Sequence, residues 1–320
     1  MPELDPWTDR KLSGYVEEQI AATEQVRTLG SQMPPAGTVP AEKIRKFRLY
    51  NKDGSLKPRL VDWAEDVTID VKNRSVLTRQ FAPDNFQGLY LHFHGGGWAL
   101  GSVYEQDVLL AKIARETNKK VITIDYPLTP AHTLPEILDV AFGAVTALID
   151  AHPGARICIG GESAGAHVAA CCVIGLKSSP EHLSRVDAVN LSYGLYDLSM
   201  TPSQRNWGEE FLGLSTPTLE WFFDMAMPGL SSEERRASSL SPLFADLSDL
   251  PPTIFSVGEL DPLIDDTLFM SMRWRAAGNM SVLKIYPQAA HGFNGLPTEM
   301  ARACNSTINS FLCDPKREQT

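Results

Sequence analysis

Arg156-Ile-Cys-Ile-Gly160, Gly161-Glu162-Ser163-Ala164-Gly165 and the run from Ala166 to Lys177 follow one another without a break. The first piece is short, apolar and rich in isoleucine, which predicts a buried strand. The last is apolar throughout and has helical length, which predicts a buried helix over 164–177. Between them stands G-x-S-x-G, the pattern of a serine on a sharp strand-to-helix turn. Crowding on both sides of such a turn demands small neighbours. The turn also puts Ser163 at a helix N-terminus, where backbone amides favour developing negative charge. Taken alone, the motif also fits a glycine-rich turn capped by serine.

Outward from this point the same alternation continues. Leu89–Phe93, Val121–Asp125, Ala188–Ser192, Thr253–Val257 and Val282–Tyr286 read as further buried strands. Helical patterns fill Val103–Glu116, Pro135–Ala151 and Asp265–Ala277, the last followed by Gly278. Strand–helix alternation of this kind predicts an α/β fold, a mostly parallel central sheet flanked by helices. Two regions break the rhythm. Residues 1 to about 45 are helix-like and run into the Pro-rich MPPAGTVP, and the stretch from about 197 to 240 is aromatic without a core-type strand.

A chain of 320 residues would by length alone suggest two domains, yet neither odd region looks able to fold by itself. At 43% hydrophobic and 21% charged residues the composition is that of a soluble globular protein. The net charge of −10 repels a polyanion, so nucleic acid is not expected as a partner. Five cysteines without a C-x-x-C pair or a Cys/His ligand spacing suggest buried thiols, with no metal and no cofactor. The start, MPELDPWTDRK, has no apolar run, and no segment is long enough to span a bilayer, so a cytoplasmic protein with no membrane partner is expected. N-x-S/T matches at Asn73, Asn279 and Asn305 are read as chance.

Directly after the strand Leu89–Phe93 comes His94-Gly95-Gly96-Gly97-Trp98. Three glycines permit backbone amides to face inward unobstructed, and the run lacks the Lys-Ser/Thr ending of a phosphate loop. An acyl-transfer serine needs such donors for its oxyanion. The HGGG-type loop and the amide of Ala164 are placed to supply them. The serine also needs a base, and the base an orienting acid, in the chain order serine, acid, histidine. Downstream of the 164–177 helix stand His182, in the polar SSPEHLSR, and His291, in AHGF just past a strand. His291 fits the base. For the acid, Asp261 in GELDPL leads; Glu259, Asp265 and Asp266 are its rivals, the last two also suited to a helix N-terminus.

HGGGW at 94–98, GESAG at 161–165, DPL at 261–263 and HGF at 291–293, in this order, resemble the hormone-sensitive-lipase family of α/β-hydrolases, bacterial esterase family IV. The stretch from Ser241 to Asp266 is also similar, and the resemblance spans roughly residues 60–312. It implies the α/β-hydrolase fold, with Ser163 as nucleophile, His291 as base, Asp261 as acid and Gly95, Gly96 and Ala164 as the oxyanion hole. It implies that His94 shapes the glycine loop. The chain departs from the family in having Glu162 where Asp is usual, and in reading Tyr126-Pro-Leu-Thr-Pro-Ala-His-Thr-Leu-Pro-Glu136 where an Arg and a Glu are expected.

The family's cap would correspond to residues 1–45 and 197–240, and the catalytic domain to 46–196 and 241–320. Trp98, Trp207, Phe211, Trp221, Phe222 and Met225 then become pocket candidates, each weighed against plain packing. The activity implied is a serine carboxylesterase on small to medium acyl esters, its partner a small-molecule ester. The same triad would serve an amidase, formamidase or acyltransferase, and a non-catalytic ligand-binding relative is a further alternative. The resemblance also implies a homodimer through the edge of the last strand.

Overall fold

The computed structural model describes residues 10–316 apart from Asn73. The outermost ends of the expected cap and catalytic domain, residues 1–9 and 317–320, and the N-x-S/T match at Asn73 lie outside the described residues. Eight strands form one sheet: β1 (Ala64–Val71), β2 (Arg74–Phe81), β3 (Leu89–Phe93), β4 (Lys120–Ile124), β5 (Ile157–Glu162), β6 (Val186–Ser192), β7 (Thr253–Leu260) and β8 (Ser281–Ala290). Their order across the sheet is β1-β2-β4-β3-β5-β6-β7-β8. The β1/β2 and β2/β4 pairs are antiparallel and every other pair is parallel.

Among the described residues, ten α-helices connect and cover the strands: α1 (Val16–Gly30), α2 (Ala41–Leu49), α3 (Asp107–Thr117), α4 (Leu134–Ala151), α5 (Ala164–Gly175), α6 (Pro180–Leu183), α7 (Pro202–Asn206), α8 (Thr216–Ala226), α9 (Ile264–Ala276) and α10 (Glu299–Cys313). Helix α4 begins where Thr133 and Glu136 form a reciprocal capping box, with Pro135 in the first turn. Strands β3 and β5 are buried along their whole length because helices lie on both faces of the sheet. Each large apolar side chain removed from water there contributes roughly 1.5–3 kcal/mol.

The expected strands and helices occur within a few residues of their predicted ends. Strands β1 and β2 and helices α6 and α10 were not expected. Strands β1 and β2 form an antiparallel hairpin at one edge, and α10 packs late in the chain against α3 and β6. The hairpin is tied down by Arg79, buried on β2, whose guanidinium meets Asp107 and Asp66; Asp107 also accepts from the Val61 amide at 2.6 Å.

The N-terminal region divides in two. Helix α1 docks on the edge strand β8, where Thr23 Oγ1 donates to the Gln288 carbonyl at 2.7 Å and Gln19 meets Thr298. Only the stretch from Leu29 onward crosses above the C-terminal ends of the strands. The end of α1 meets the 197–240 insertion there: Arg27 pairs with Glu210 at 2.6 Å, and Gly30 lies against Phe211. The insertion is anchored below by Asp266. This buried carboxyl accepts from the amides of Tyr196 and Asp197, from Thr201 Oγ1 and from Gln204 Nε2. Asp266 therefore ties the insertion to α9 rather than merely opening that helix.

His167, inside α5, links the insertion to the glycine loop. Its Nε2 donates to the Leu240 carbonyl at 2.7 Å, and its Nδ1 accepts from Trp98 Nε1 at 3.2 Å. Burial pushes its pKa down from 6.5 to about 4, so the ring is neutral in the folded chain. Unfolded, it takes a proton at about 6.5. Its contribution is therefore complete above that pH and is lost as the pH falls toward 4, a loss on the order of 3 kcal/mol. Melting temperature should accordingly drop on acidification from pH 6.5 to 4, and His167→Gln should show a flatter slope over that window. An unchanged slope in the variant would show that His167 does not drive the acid sensitivity.

Candidate active site

Ser163 ends β5 and opens α5 with φ 54° and ψ −122°, a conformation that costs a non-glycine residue about 1–3 kcal/mol. The surroundings enforce it. The Ser163 amide donates to the Ser192 carbonyl at the end of β6, at 2.9 Å. Gly161 and Gly165 both press on the Phe93 carbonyl of β3, leaving no space for a Cβ at either. This explains the small residues flanking the serine: the turn is squeezed between two strand ends.

Three side chains from three strand ends then meet. His291 Nε2 lies 3.0 Å from Ser163 Oγ, and His291 Nδ1 lies 2.9 Å from Asp261 Oδ2. The other carboxylate oxygen of Asp261 accepts the Leu263 amide at 2.8 Å, and Asp261 is fully buried. A carboxylate at Nδ1 holds the imidazole in the tautomer that leaves Nε2 free to accept the serine proton. The other acids lie elsewhere. Glu259 accepts from the Gln288 amide at 2.9 Å, Asp265 from the Ser203 amide at 2.8 Å, and Asp266 holds the insertion as described. His182 pairs with Asp150 at 2.9 Å, far along the chain from this cluster.

The glycine loop adjoins Ser163: the direction in which Gly95 would carry a Cβ points to Ser163 Cβ, 3.4 Å away. The loop's carbonyls are engaged, Gly95 by His94 Nδ1 at 2.9 Å and Gly96 by the amides of Ala99 and Leu100. No backbone carbonyl among the described residues takes the amides of Gly95 or Gly96. Ala164 is the first residue of α5, so its amide has no acceptor within the helix. These donors flank Ser163, where an oxyanion would form.

Tyr126 braces the loop from below, its hydroxyl donating to the His94 carbonyl at 2.6 Å while the two rings stack. Arg45 of α2 donates to the carbonyls of Ala99 and Thr129, at 2.6 and 3.1 Å. An arginine from the N-terminal region thus supports the segment whose usual Arg and Glu are missing. Glu162 is held by His92 at 2.9 Å, and His92 in turn by Thr123 at 3.1 Å.

A cavity of about 1400 Å³ opens above Ser163 and His291. Of the aromatic candidates, Phe211, Trp221 and Phe222 line it, and Phe222 lies directly against Gly97. Trp98, Trp207 and Met225 do not. Trp98 is fully buried between His167 and Phe223; Trp207 Nε1 donates to the Glu210 carbonyl; Met225 packs on the core. These residues sit on the faces of their segments turned away from the cavity.

Several lining residues were not among the pocket candidates. The 29–37 stretch forms part of the wall, Gly37 resting on the Trp221 ring. Tyr193 sets its ring edge-on to His291 with centroids 5.0 Å apart, its hydroxyl donating to Asn294 Oδ1. Its place just past β6, at the C-terminal edge of a parallel sheet, is the one cue that could have found it.

The insertion also grips the histidine's backbone. The His291 amide donates to the Leu212 carbonyl at 3.1 Å, and Gly213, at φ +85°, backs onto the His291 carbonyl, where a Cβ would come within 2.5 Å. Gly213→Ala should push His291 away from Ser163 and lower kcat at least tenfold, with a smaller change in KM. Steady-state kinetics on a short aryl ester would check this; an unchanged kcat would show that the contact does not position the base.

Comparison with known proteins identifies the fold and the family. A family model described as alpha/beta hydrolase fold matches residues 90–295. An acetyl esterase from Salmonella schwarzengrund is 32% identical over 227 residues, 68% of this chain and 69% of that protein. The chain belongs to this α/β-hydrolase family, the one that includes hormone-sensitive-lipase-like esterases. Its enzyme class is carboxylic ester hydrolase. Among solved structures, an esterase from Pyrobaculum calidifontis superposes with a TM-score of 0.80 at 26% identity, covering 91% of this chain and 97% of that one. A hormone-sensitive lipase from a metagenome library shares the fold, with a TM-score of 0.78 at 23% identity over 92% and 97% of the two chains. Among the described residues, no helix is long and apolar enough to cross a membrane.

Proposed function

We propose that this α/β-hydrolase cleaves small to medium acyl esters through a covalent acyl-enzyme on Ser163. The observation that carries the reading is the unbroken hydrogen-bond chain Ser163–His291–Asp261 at 3.0 and 2.9 Å, with its serine on a strained turn at a helix N-terminus. In the first half-reaction His291 Nε2 takes the Ser163 proton as Oγ bonds to the ester carbonyl carbon. The oxyanion is met by the amides of Gly95, Gly96 and Ala164. His291 then gives its proton to the departing alkoxide as the ester C–O bond breaks. Water repeats the sequence: His291 takes one of its protons, the hydroxide attacks the acyl carbonyl, and Ser163 Oγ recovers the proton as the acid leaves.

Acetyl transfer to water, the activity named for the Salmonella relative, fits the space nearest Ser163, where Phe222 presses on the oxyanion loop. The residues from Leu29 to about 49 and the 197–240 insertion act as the cap that shapes this space. A p-nitrophenyl ester series from two to twelve acyl carbons tests the reading. The expected kcat/KM peaks at six carbons or fewer; a maximum at ten or twelve would overturn the assigned range. A fluorophosphonate probe should label Ser163 stoichiometrically, and matched amides and thioesters should be cleaved more slowly than the ester.

A further inference from the structure

The Leu212 carbonyl holds the His291 amide, but the loop beyond that residue is fixed from elsewhere. Gly292 has φ +76° and open space where a Cβ would project, so nothing packs there to set the turn. One residue outside the loop meets it at three places. Tyr193, just past β6, sets its ring 5.0 Å from that of His291 and 6.4 Å from that of Phe293, and its hydroxyl donates to Asn294 Oδ1. We propose that Tyr193 is a positioning residue for the base: its bond to Asn294 fixes the 291–294 loop, so that His291 Nε2 stays within reach of Ser163 Oγ through both half-reactions. The proposal rests on His291 being the base.

The direction of the Tyr193 bond follows from its neighbours. Asn305 of α10 donates Nδ2 to the Asn294 carbonyl at 2.9 Å, and a carbonyl can only accept. Asn305 therefore turns its Oδ1 toward Asn294 Nδ2, 3.4 Å away. Asn294 is left with Oδ1 facing Tyr193, so the phenol proton is committed to Asn294 and does not serve the ester. The loop is thus tied on one side to α10 and on the other to the end of β6. Asn294 is buried, which makes loss of the Tyr193 donor costly.

The anchor is itself strained. Tyr193 has φ +36°, a region that non-glycine residues seldom occupy, and its amide is held by the Ser256 carbonyl of β7 at 2.6 Å. Strain of this kind persists only where the surroundings enforce it, and it collects at functional sites. Here it falls on the residue that touches the base. The same imidazole has to face Ser163 Oγ, the departing alkoxide and then water, so small displacements of its loop cost rate. Because the hydroxyl is turned to Asn294 rather than to the ester, its effect belongs in kcat and not in KM.

Tyr193→Phe keeps the ring and deletes only the hydroxyl. Its kcat for p-nitrophenyl acetate is expected to fall about tenfold, with KM changed less than twofold. Asn294→Leu removes the acceptor of the same bond. The double variant should lose no more than the larger single loss, because both changes act through one contact. A measurement on the unaltered protein runs in parallel: with a phosphonate bound covalently to Ser163, a crystal structure should keep the Tyr193 hydroxyl within hydrogen-bond distance of Asn294. An unchanged kcat in Tyr193→Phe, losses that multiply in the double variant, or a Tyr193 hydroxyl moved onto the phosphonate would overturn the proposal. His291→Ala separates it from the reading it rests on. Wild-type activity in that variant overturns His291 as the base. With the base confirmed by a large loss, adding Tyr193→Phe to His291→Ala should leave the residual rate unchanged, and a further tenfold loss would show that Tyr193 does not act through His291.

Discussion

Replacing Ser163 by alanine is expected to lower kcat for p-nitrophenyl acetate by about 10⁵-fold. The expectation follows from the position of one oxygen. Ser163 Oγ is the hydroxyl in hydrogen-bond reach of His291 Nε2, and the Ala164 amide at the start of α5 lies beside it, as the proposed nucleophile requires. Without it the site retains donors and an apolar cavity, which support only a residual acceleration over water of about 10³–10⁴-fold. Folding should survive, because the alanine keeps the same backbone. Ser163→Gly supplies a second readout. Glycine tolerates φ near +54°, so this variant should be equally inactive yet more stable by roughly 1 kcal/mol in urea unfolding. Activity within a hundredfold of wild type in either purified variant would remove Ser163 from the mechanism.

The strain at Ser163 also explains why so much of this site is visible in sequence. A turn held against Phe93 by Gly161 and Gly165 permits few side chains, so the packing constraint is written as glycines. The strands β3 and β5 were legible for a related reason. Buried on both faces, they read as continuous apolar runs. The hairpin was not legible, because β1 alternates acids with apolar residues along an edge that is half exposed. Its sequence, AEDVTIDV, resembles a polar loop as much as a strand. Helix α10 lay outside the expectation although Met300, Cys304, Ile308 and Phe311 recur at helical spacing, with Asn309 the polar residue buried among them.

The pocket was the least legible part. Aromatic residues in the insertion mark a packed helix, but which of them face the substrate depends on the rotation of α8. Phe222 turns to the cavity while the adjacent Phe223 is fully buried and packs on Trp98. Trp98 follows the glycine loop directly, yet its indole points back to His167. The wall from Leu29 to Gly37 carries no catalytic motif. Its role arises from where the chain crosses, which neither composition nor spacing encodes.

Asp261→Asn should lower kcat by about 10⁴-fold at neutral pH while leaving the fold and KM nearly unchanged. Asp261 has two fixed neighbours. One oxygen accepts the Leu263 amide at 2.8 Å, and the other faces His291 Nδ1 at 2.9 Å. An asparagine must keep its oxygen toward the Leu263 N–H, because its amide group would confront another donor there. Its NH₂ is then directed at His291 and donates to Nδ1. That bond selects the opposite tautomer, with the proton on Nε2, the very atom that must accept the Ser163 proton. The histidine remains in place and in contact but cannot act as a base. Glu259 is the natural control, since it lies two residues away and accepts from the backbone and side-chain amides of Gln288. Glu259→Gln should change kcat less than threefold. If the two variants lost activity equally, the acid of this site would not be Asp261, and the tautomer argument would fail with it.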